Sequence, residues 1–197
     1  MTSSATPHST TPQHQPSHQP TSGDDDVPAF DAQAIDAPAA DLPHVADLNR
    51  LLRYDCWANC KLAERIDDDT PGKALSLLAH VLGMHRLWQA RLRGEAMSGT
   101  WQQAMWPVPK PSKFKSECDT IRHEWADLLA SRQADDRVEY KDLSGQTRST
   151  RVGDAIVHLA LHGSFHRGQV SMLIGSHSQP APNTGLVHAI HDGGLDQ

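Results

Sequence analysis

Three histidines spaced four residues apart, His158, His162 and His166, are the residues of this sequence best arranged for chemistry. An α-helix turns by about 100° per residue, so a step of four shifts a side chain by only about 40° and the three share one face. Two imidazoles one turn apart converge above the helix surface, and their neutral nitrogens are common metal ligands. The spacing therefore predicts that two neighbouring members of this set bind one divalent metal ion.

A further protein ligand is expected from a different helix. A single histidine on an apolar face is usually a hydrogen-bonded core residue, but burying several imidazoles without partners costs free energy that a shared cation removes. His80 lies on a helical stripe with Leu77, Met84 and Leu87, and His85 lies about 140° further round the same helix. Spacing alone leaves both histidines open as the third ligand.

Four helices are predicted to position these residues, because apolar side chains recur there at intervals of three and four. The predicted helices cover approximately residues 44–66, 73–93, 112–133 and 152–176. Ser112 or Ser116 is the expected N-cap of the third helix. Between the helices, 94–111 is predicted to be a connection and 137–151 a β-hairpin around Ser144-Gly145. A short closing helix is expected from Leu186 to Ile190.

The N-terminal segment differs in composition from the rest of the chain. Residues 1–43 contain six Asp, no Lys or Arg, and almost no large apolar side chain, so they are predicted to form a disordered tail. Residues 44–192 are expected to form one domain. Without the tail the chain is formally neutral and has no clear basic stripe, so a nucleic-acid partner is not expected.

Other sequence features narrow the location and the chemistry. No signal peptide and no membrane-spanning stretch is recognised, and three cysteines, Cys56, Cys60 and Cys118, are expected to be free thiols in the cytoplasm. Walker, His-Glu-x-x-His and Gly-x-Ser-x-Gly strings are absent, which disfavours NTPase, zincin and serine-hydrolase activities. The chain also lacks the Glu-x-x-His motifs that di-iron bundles use.

Three strings of residues together resemble the DinB (DNA-damage-inducible) family of metalloenzymes. They are Tyr54-Asp-Cys-Trp-Ala-Asn59, Leu77-Leu-Ala-His-Val-Leu-Gly-Met-His-Arg-Leu-Trp88 and His158-Leu-Ala-Leu-His-Gly-Ser-Phe-His-Arg-Gly-Gln169. The resemblance covers about residues 44–190. It implies an all-α fold, an up-down-down-up four-helix bundle with a small β-hairpin before the last helix of the bundle.

The resemblance also implies which residues bind metal. In this family one histidine of the second helix and two of the fourth hold zinc or nickel, and the matching positions here are His80, His162 and His166. His158 then becomes a supporting residue. The chain departs from the family pattern at His85, where Glu is common, and at Gly185, the position where an acidic residue often follows the Pro-x-Thr of the C-terminal segment.

Three neutral imidazoles leave a fourth position on a bound ion, which is typical of catalytic zinc sites. Such an ion could activate water for hydrolysis or bind a small thiol as its thiolate. The resemblance implies relatives that are S-transferases and an isomerase using low-molecular-weight thiols, so a thiol S-transferase acting on a small molecule is the preferred hypothesis. The alternative is a non-catalytic metal-binding stress protein. No membrane partner is expected, and a homodimer is compatible with the predicted bundle.

Overall fold

The computed structural model of the chain describes residues 45–95, 100–176 and 180–196. The tail predicted for residues 1–43 lies outside this range. The elements of the described residues are, in chain order, α1 (Val45–Ala63), α2 (Gly72–Arg93), α3 (Trp101–Met105), α4 (Phe114–Leu129), β1 (Arg137–Lys141), β2 (Thr147–Arg151), α5 (Val152–Gly175) and α6 (Leu186–His191). The predicted all-α fold with a small hairpin is confirmed.

Helices α2 and α4 of the bundle run in the same direction. Near the start of α4, Glu117 lies 3.6 Å from Arg86. Further along both helices, Arg93 lies 3.1 Å from Glu124. Because later residues of α2 meet later residues of α4, the two helices are parallel.

The other two helices, α1 and α5, point the opposite way. Leu48 lies beside Gly153, and further along both helices Asp55 contacts Arg167, so α1 and α5 are parallel to each other. Between α2 and α5 later residues of one helix meet earlier residues of the other, in the pairs Trp88 with His158 and His80 with His166. The order of directions is therefore up-down-down-up, as the resemblance implied.

The hairpin closes one side of the bundle and begins α5. Its strands pair antiparallel from Arg137 opposite Arg151 to Lys141 opposite Thr147. Val138 is buried, and β1 packs against α2. Because β2 runs directly into Val152, the hairpin sets where α5 starts.

Two local predictions differ from the structure. The connection predicted for residues 94–111 contains the short helix α3, whose first turn is held by a capping box between Thr100 and Gln103. Neither predicted serine caps α4: its N-cap is Lys113, without a side-chain cap, and the Ser116 hydroxyl donates back to the Lys113 carbonyl.

Among the described residues, no helix combines the length and the apolar character needed to cross a bilayer.

Candidate metal centre

His80, His162 and His166 meet where α2 packs against α5, and we call them the metal triad. Each ring offers one nitrogen, and these nitrogens all lie within 4.8 Å of one another. His80 is 5% exposed, whereas His162 and His166 are half-buried. The triad could therefore hold one metal ion that remains reachable from solvent.

Hydrogen bonds on the far side of two rings orient them. Nδ1 of His80 lies 2.5 Å from the Met105 carbonyl oxygen, which can only accept, so Nδ1 donates and Nε2 keeps its lone pair. Nδ1 of His166 donates in the same way to Oε1 of Gln169, 2.8 Å away. This arrangement, with one ring nitrogen donating and the other left for the ion, is typical of metal-binding histidines.

The donor atoms also suit a metal ion in their spacing. Nε2 of His80 and Nε2 of His162 are 3.0 Å apart. In a tetrahedral zinc site with bonds of about 2.0–2.1 Å, neighbouring ligand nitrogens are about 3.3 Å apart. Nδ1 of His162 is buried and has no hydrogen-bond partner among the described residues. An ion between the rings would be bound by the lone pairs of the two Nε2 atoms, and Nδ1 of His162 would then carry the proton of its ring.

Two members of the triad, His80 and His162, are electrically neutral near physiological pH. Burial, together with the neighbouring His166, His80 and His158, lowers the pKa of His162 to about 4. Burial also lowers the pKa of His80, and the hydrogen bond to Met105 opposes this only in part. Because protons compete poorly for these nitrogens, their lone pairs are available to a cation.

The segment that follows α3 fixes His80 from outside. The Trp106 indole stacks on the His80 ring, with centroids 3.9 Å apart and planes 6° from parallel. This close approach requires Gly83 in α2, since a Cβ there would lie 2.8 Å from both the Ala104 carbonyl oxygen and Cδ of Pro107. A glycine one turn from His80 thus lets the segment reach the triad.

His158, the first of the three spaced histidines, lies outside the triad. Its exposed ring stacks on His162 at 5.7 Å between centroids and meets the edge of Trp88 at 6.3 Å. It extends the row of imidazoles along α5 without joining the group that could hold an ion.

His85, which spacing left open as a ligand, has both ring nitrogens engaged elsewhere. The indole N–H of Trp125 can only donate, so Nδ1 of His85 accepts it at 3.0 Å. Nε2 must then bear the proton and donates to Oδ2 of Asp55 at 2.8 Å. Because His85 is only 1% exposed and fully hydrogen-bonded, it is a core residue.

His85 belongs to a buried polar network, which consists of Asp55, Asn59, His85, Trp125 and Arg167. The Arg167 guanidinium pairs with Oδ1 of Asp55 and donates to Oδ1 of Asn59 at 2.9 Å. Burial opposes ionisation of Asp55, but Arg167 and the hydrogen bond from His85 outweigh it and hold the Asp55 pKa below its usual value. The network therefore contains a buried ion pair.

Triad and network share two turns of α5. Gly163 follows His162, and Arg167 follows His166, so one face of the helix presents imidazoles while the other presents the guanidinium. A Cβ on Gly163 would lie 2.5 Å from Oδ1 of Asp55 and 2.7 Å from Nη1 of Arg167. The ion pair thus fits only because Gly163 has no side chain.

Sequence reasoning assigned no role to Asp55 and Asn59. The signal was available, since they are four residues apart on the α1 face that also bears Leu48, Leu52 and Leu62. A carboxylate on such a face must find buried partners. Which partners it finds depends on α2, α4 and α5, so the network required the three-dimensional structure.

Comparison with known proteins agrees with this architecture. The model of the DinB family matches residues 63–187, a range that includes α2, the hairpin, α5 and all three triad histidines. No curated protein and no solved structure matches the chain significantly. The match extends over more than half of the chain. The chain therefore belongs to the DinB family.

Proposed function

We propose that this protein is a metal-dependent enzyme whose divalent ion, zinc or nickel, is held by His80, His162 and His166. The observation that supports the proposal is the convergence of three imidazoles, two of them oriented by hydrogen bonds on their opposite nitrogens. Three protein ligands with a fourth position free is the usual composition of a catalytic zinc site.

The reaction we favour is transfer of a low-molecular-weight thiol to a small electrophile. A divalent ion bound by neutral ligands keeps its full charge and would favour the thiolate form of a thiol bound beside it. Hydrolysis by a metal-activated water is the other chemistry open to such a site. Family membership supports the thiol reaction, because the DinB resemblance includes thiol-dependent S-transferases.

The residues of this chain would orient the reactants and provide a contact surface. Trp106 is 40% exposed while it stacks on His80, and Phe165 is 66% exposed with its ring 5.1 Å from that of His166. These two rings flank the triad on the solvent side. They would contact the apolar part of a small-molecule substrate.

A cytoplasmic location agrees with this chemistry. Cys56, Cys60 and Cys118 are all free thiols, as a reducing compartment requires. A reducing compartment also keeps a small thiol substrate in its reactive form.

A non-catalytic metal-binding protein is the second candidate. The triad joins α2 to α5, so an ion held there would also stabilise the bundle by favouring the native state. Under this alternative, metal would raise the unfolding temperature but no thiol would bind to it and no turnover would occur.

Metal analysis of purified protein tests the site. We expect about one divalent ion per chain in the wild type and loss of most of it in His162→Ala. His158→Ala is the matched control, because it removes an imidazole of the same helix face outside the triad, and it should keep its metal. Full retention of metal by His162→Ala would contradict the assignment.

The thiol reaction is tested on the same samples with cobalt(II) in place of the native ion. A thiol bound to cobalt as thiolate produces a strong near-ultraviolet absorption, which we expect for wild type and not for His162→Ala. The wild type should also accelerate conjugation of that thiol to an electrophile. Metal-loaded protein that shows neither effect would leave the non-catalytic alternative.

A further inference from the structure

The three cysteines lie on the α1 and α4 side of the bundle, whereas the metal triad lies on α2 and α5. Cys56 and Cys60 are four residues apart on one face of α1, and Cys118 belongs to α4. Cys56 and Cys118 are buried, while Cys60 is half-buried. The thiols therefore have no part in the metal centre.

Cys60 and Cys118 are in contact across the two helices. Cys60 lines a surface cleft of about 260 Å³ opposite Lys115, Asp119 and Arg122, the α4 residues that bracket Cys118. Within that turn the Cys118 side chain is buried in the core and lies beside the Cys60 thiol, close enough for each thiol to shift the pKa of the other. The cleft is large enough for several water molecules, so a small oxidant can reach Cys60.

The two thiols differ in their ease of ionisation. The adjacent Cys118 thiol lowers the pKa of Cys60, although half-burial and Asp119 oppose the shift. The pKa of Cys118 is raised by the adjacent Cys60 thiol and by burial, and burial raises that of Cys56. Three cations, Lys61, Lys115 and Arg122, line the cleft with two carboxylates, Glu64 and Asp119, so its formal charge is positive. Cys60 thus has the surroundings of a reactive thiolate.

We propose that Cys60 and Cys118 form a reversible disulfide when the protein meets a hydroperoxide, with Cys60 attacking and Cys118 resolving. The Cys60 thiolate attacks the peroxide, the O–O bond breaks, and Cys60 becomes a sulfenic acid while the leaving alkoxide or hydroxide takes a proton from water. The Cys118 sulfur then forms the S–S bond, and its proton leaves with the sulfenic hydroxyl as water. Two thiols are oxidised and one peroxide is reduced.

Such a bond would link α1 to α4 across a long stretch of chain. Cross-links of this kind stabilise a protein mainly by restricting its unfolded state. The oxidised protein should therefore unfold at a higher temperature than the reduced protein. The bond would be broken again by an excess of dithiol, which returns both thiols.

Hydrogen peroxide added to the reduced, metal-loaded protein tests the proposal. We expect two of the three thiols to become unavailable to alkylation, with loss of two hydrogen atoms from the intact mass and full reversal by dithiothreitol. Cys56→Ala is the matched control: it should still form the bond, which identifies the partners because only Cys60 and Cys118 remain. Cys60→Ser should keep its two thiols, and Cys118→Ala should accumulate a Cys60 sulfenic acid that dimedone traps.

Three outcomes would overturn the proposal. The thiols could all stay reactive to alkylation, the mass could increase by oxygen atoms without a cross-link, or Cys56→Ala could fail to form the bond. His162→Ala should form it normally, which separates this inference from the fate of the metal centre.

Discussion

At the scale of single residues, a hydrogen bond to one nitrogen of a triad ring orients the ring so that its other nitrogen can face a bound ion. His80 is held by the Met105 carbonyl and by the Trp106 indole, and His166 by the Gln169 side chain. These contacts fix the tautomer as well as the orientation, since each partner atom is an acceptor. They reduce the ordering that a bound ion would otherwise have to impose.

Gln169 is the partner that can be removed without disturbing the backbone. We expect Gln169→Ala to weaken metal binding by about 10–100-fold, the usual effect of losing an orienting hydrogen bond to a ligand histidine. The dissociation constant, measured by competition with a chelator, reports the change. Gln169→Glu keeps an acceptor oxygen and should bind metal at least as tightly as the wild type. Equal affinity for wild type and Gln169→Ala would mean that His166 is oriented by packing instead.

How far these residues could be predicted depended on how local their geometry is. The four-residue spacing of His162 and His166 predicted one shared face, since a helix determines it by itself. The choice between His80 and His85 was beyond periodicity, because both side chains are buried on α2. The family resemblance selected His80, and in the structure the atoms that α1, α4 and the end of α3 place around each ring distinguish the two histidines.

At the scale of elements, α5 serves two purposes in the same two turns. Its triad face could hold an ion against α2, and the neighbouring face places Arg167 against Asp55 of α1. Because His162, His166 and Arg167 all belong to α5, a shift of this helix that loosens the ion pair with Asp55 also moves the two histidines. Gly163 lies at this junction, and Gly168 lies one turn further on the exposed side.

These two glycines make a matched pair for mutation to alanine. Gly163→Ala should destabilise the protein by roughly 1–3 kcal/mol, because its Cβ would press on Asp55 and Arg167. Gly168→Ala meets no atom within 4 Å and should be neutral or stabilising by up to about 1 kcal/mol, since alanine favours the helix. Urea unfolding measures both. If the two variants proved equally stable, the packing around Gly163 would be looser than the structure indicates.

The main helices and the hairpin could be predicted because their signals are short-range. Apolar side chains at helical spacing predicted α1, α2, α4 and α5, and a turn dipeptide predicted the hairpin. The short helix α3 has only five residues and depends on contacts with α2, so periodicity could not reveal it. The predicted N-cap of α4 was wrong because a 3₁₀ turn at Pro111–Lys113 leads into the helix. The cap position therefore falls on Lys113, and neither Ser112 nor Ser116 occupies it.

At the scale of the whole molecule, the buried polar network connects all four helices of the bundle. Asp55 and Asn59 come from α1, His85 from α2, Trp125 from α4 and Arg167 from α5. Directional hydrogen bonds at the centre allow few alternative alignments of these helices, whereas apolar packing tolerates many. The homodimer that the sequence analysis considered compatible with this bundle stays a prediction. Analytical ultracentrifugation of the purified protein would measure the oligomeric state.

The ionised state of Asp55 links this network to pH. Because the pKa of Asp55 is depressed in the folded protein, its contribution to stability is complete above its unfolded value of about 3.9 and is lost as the pH falls through the folded value. Asp55→Asn leaves Arg167 buried without its counter-charge and should cost about 3–5 kcal/mol at neutral pH. The wild type should lose this advantage over the variant progressively below about pH 4, because protonation then removes the same charge.

Urea unfolding between neutral and acid pH measures that difference directly. Asn59→Ala is the control, since it removes one hydrogen bond to Asp55 but leaves the ion pair with Arg167, so it should keep the acid dependence of the wild type. A gap between wild type and Asp55→Asn that stays constant down to pH values well below 4 would mean that the ion pair contributes no pH-dependent stability. A gap that closes would show that the charge on Asp55, rather than its shape, stabilises the packing of α1 against α5, the helix that bears His162 and His166.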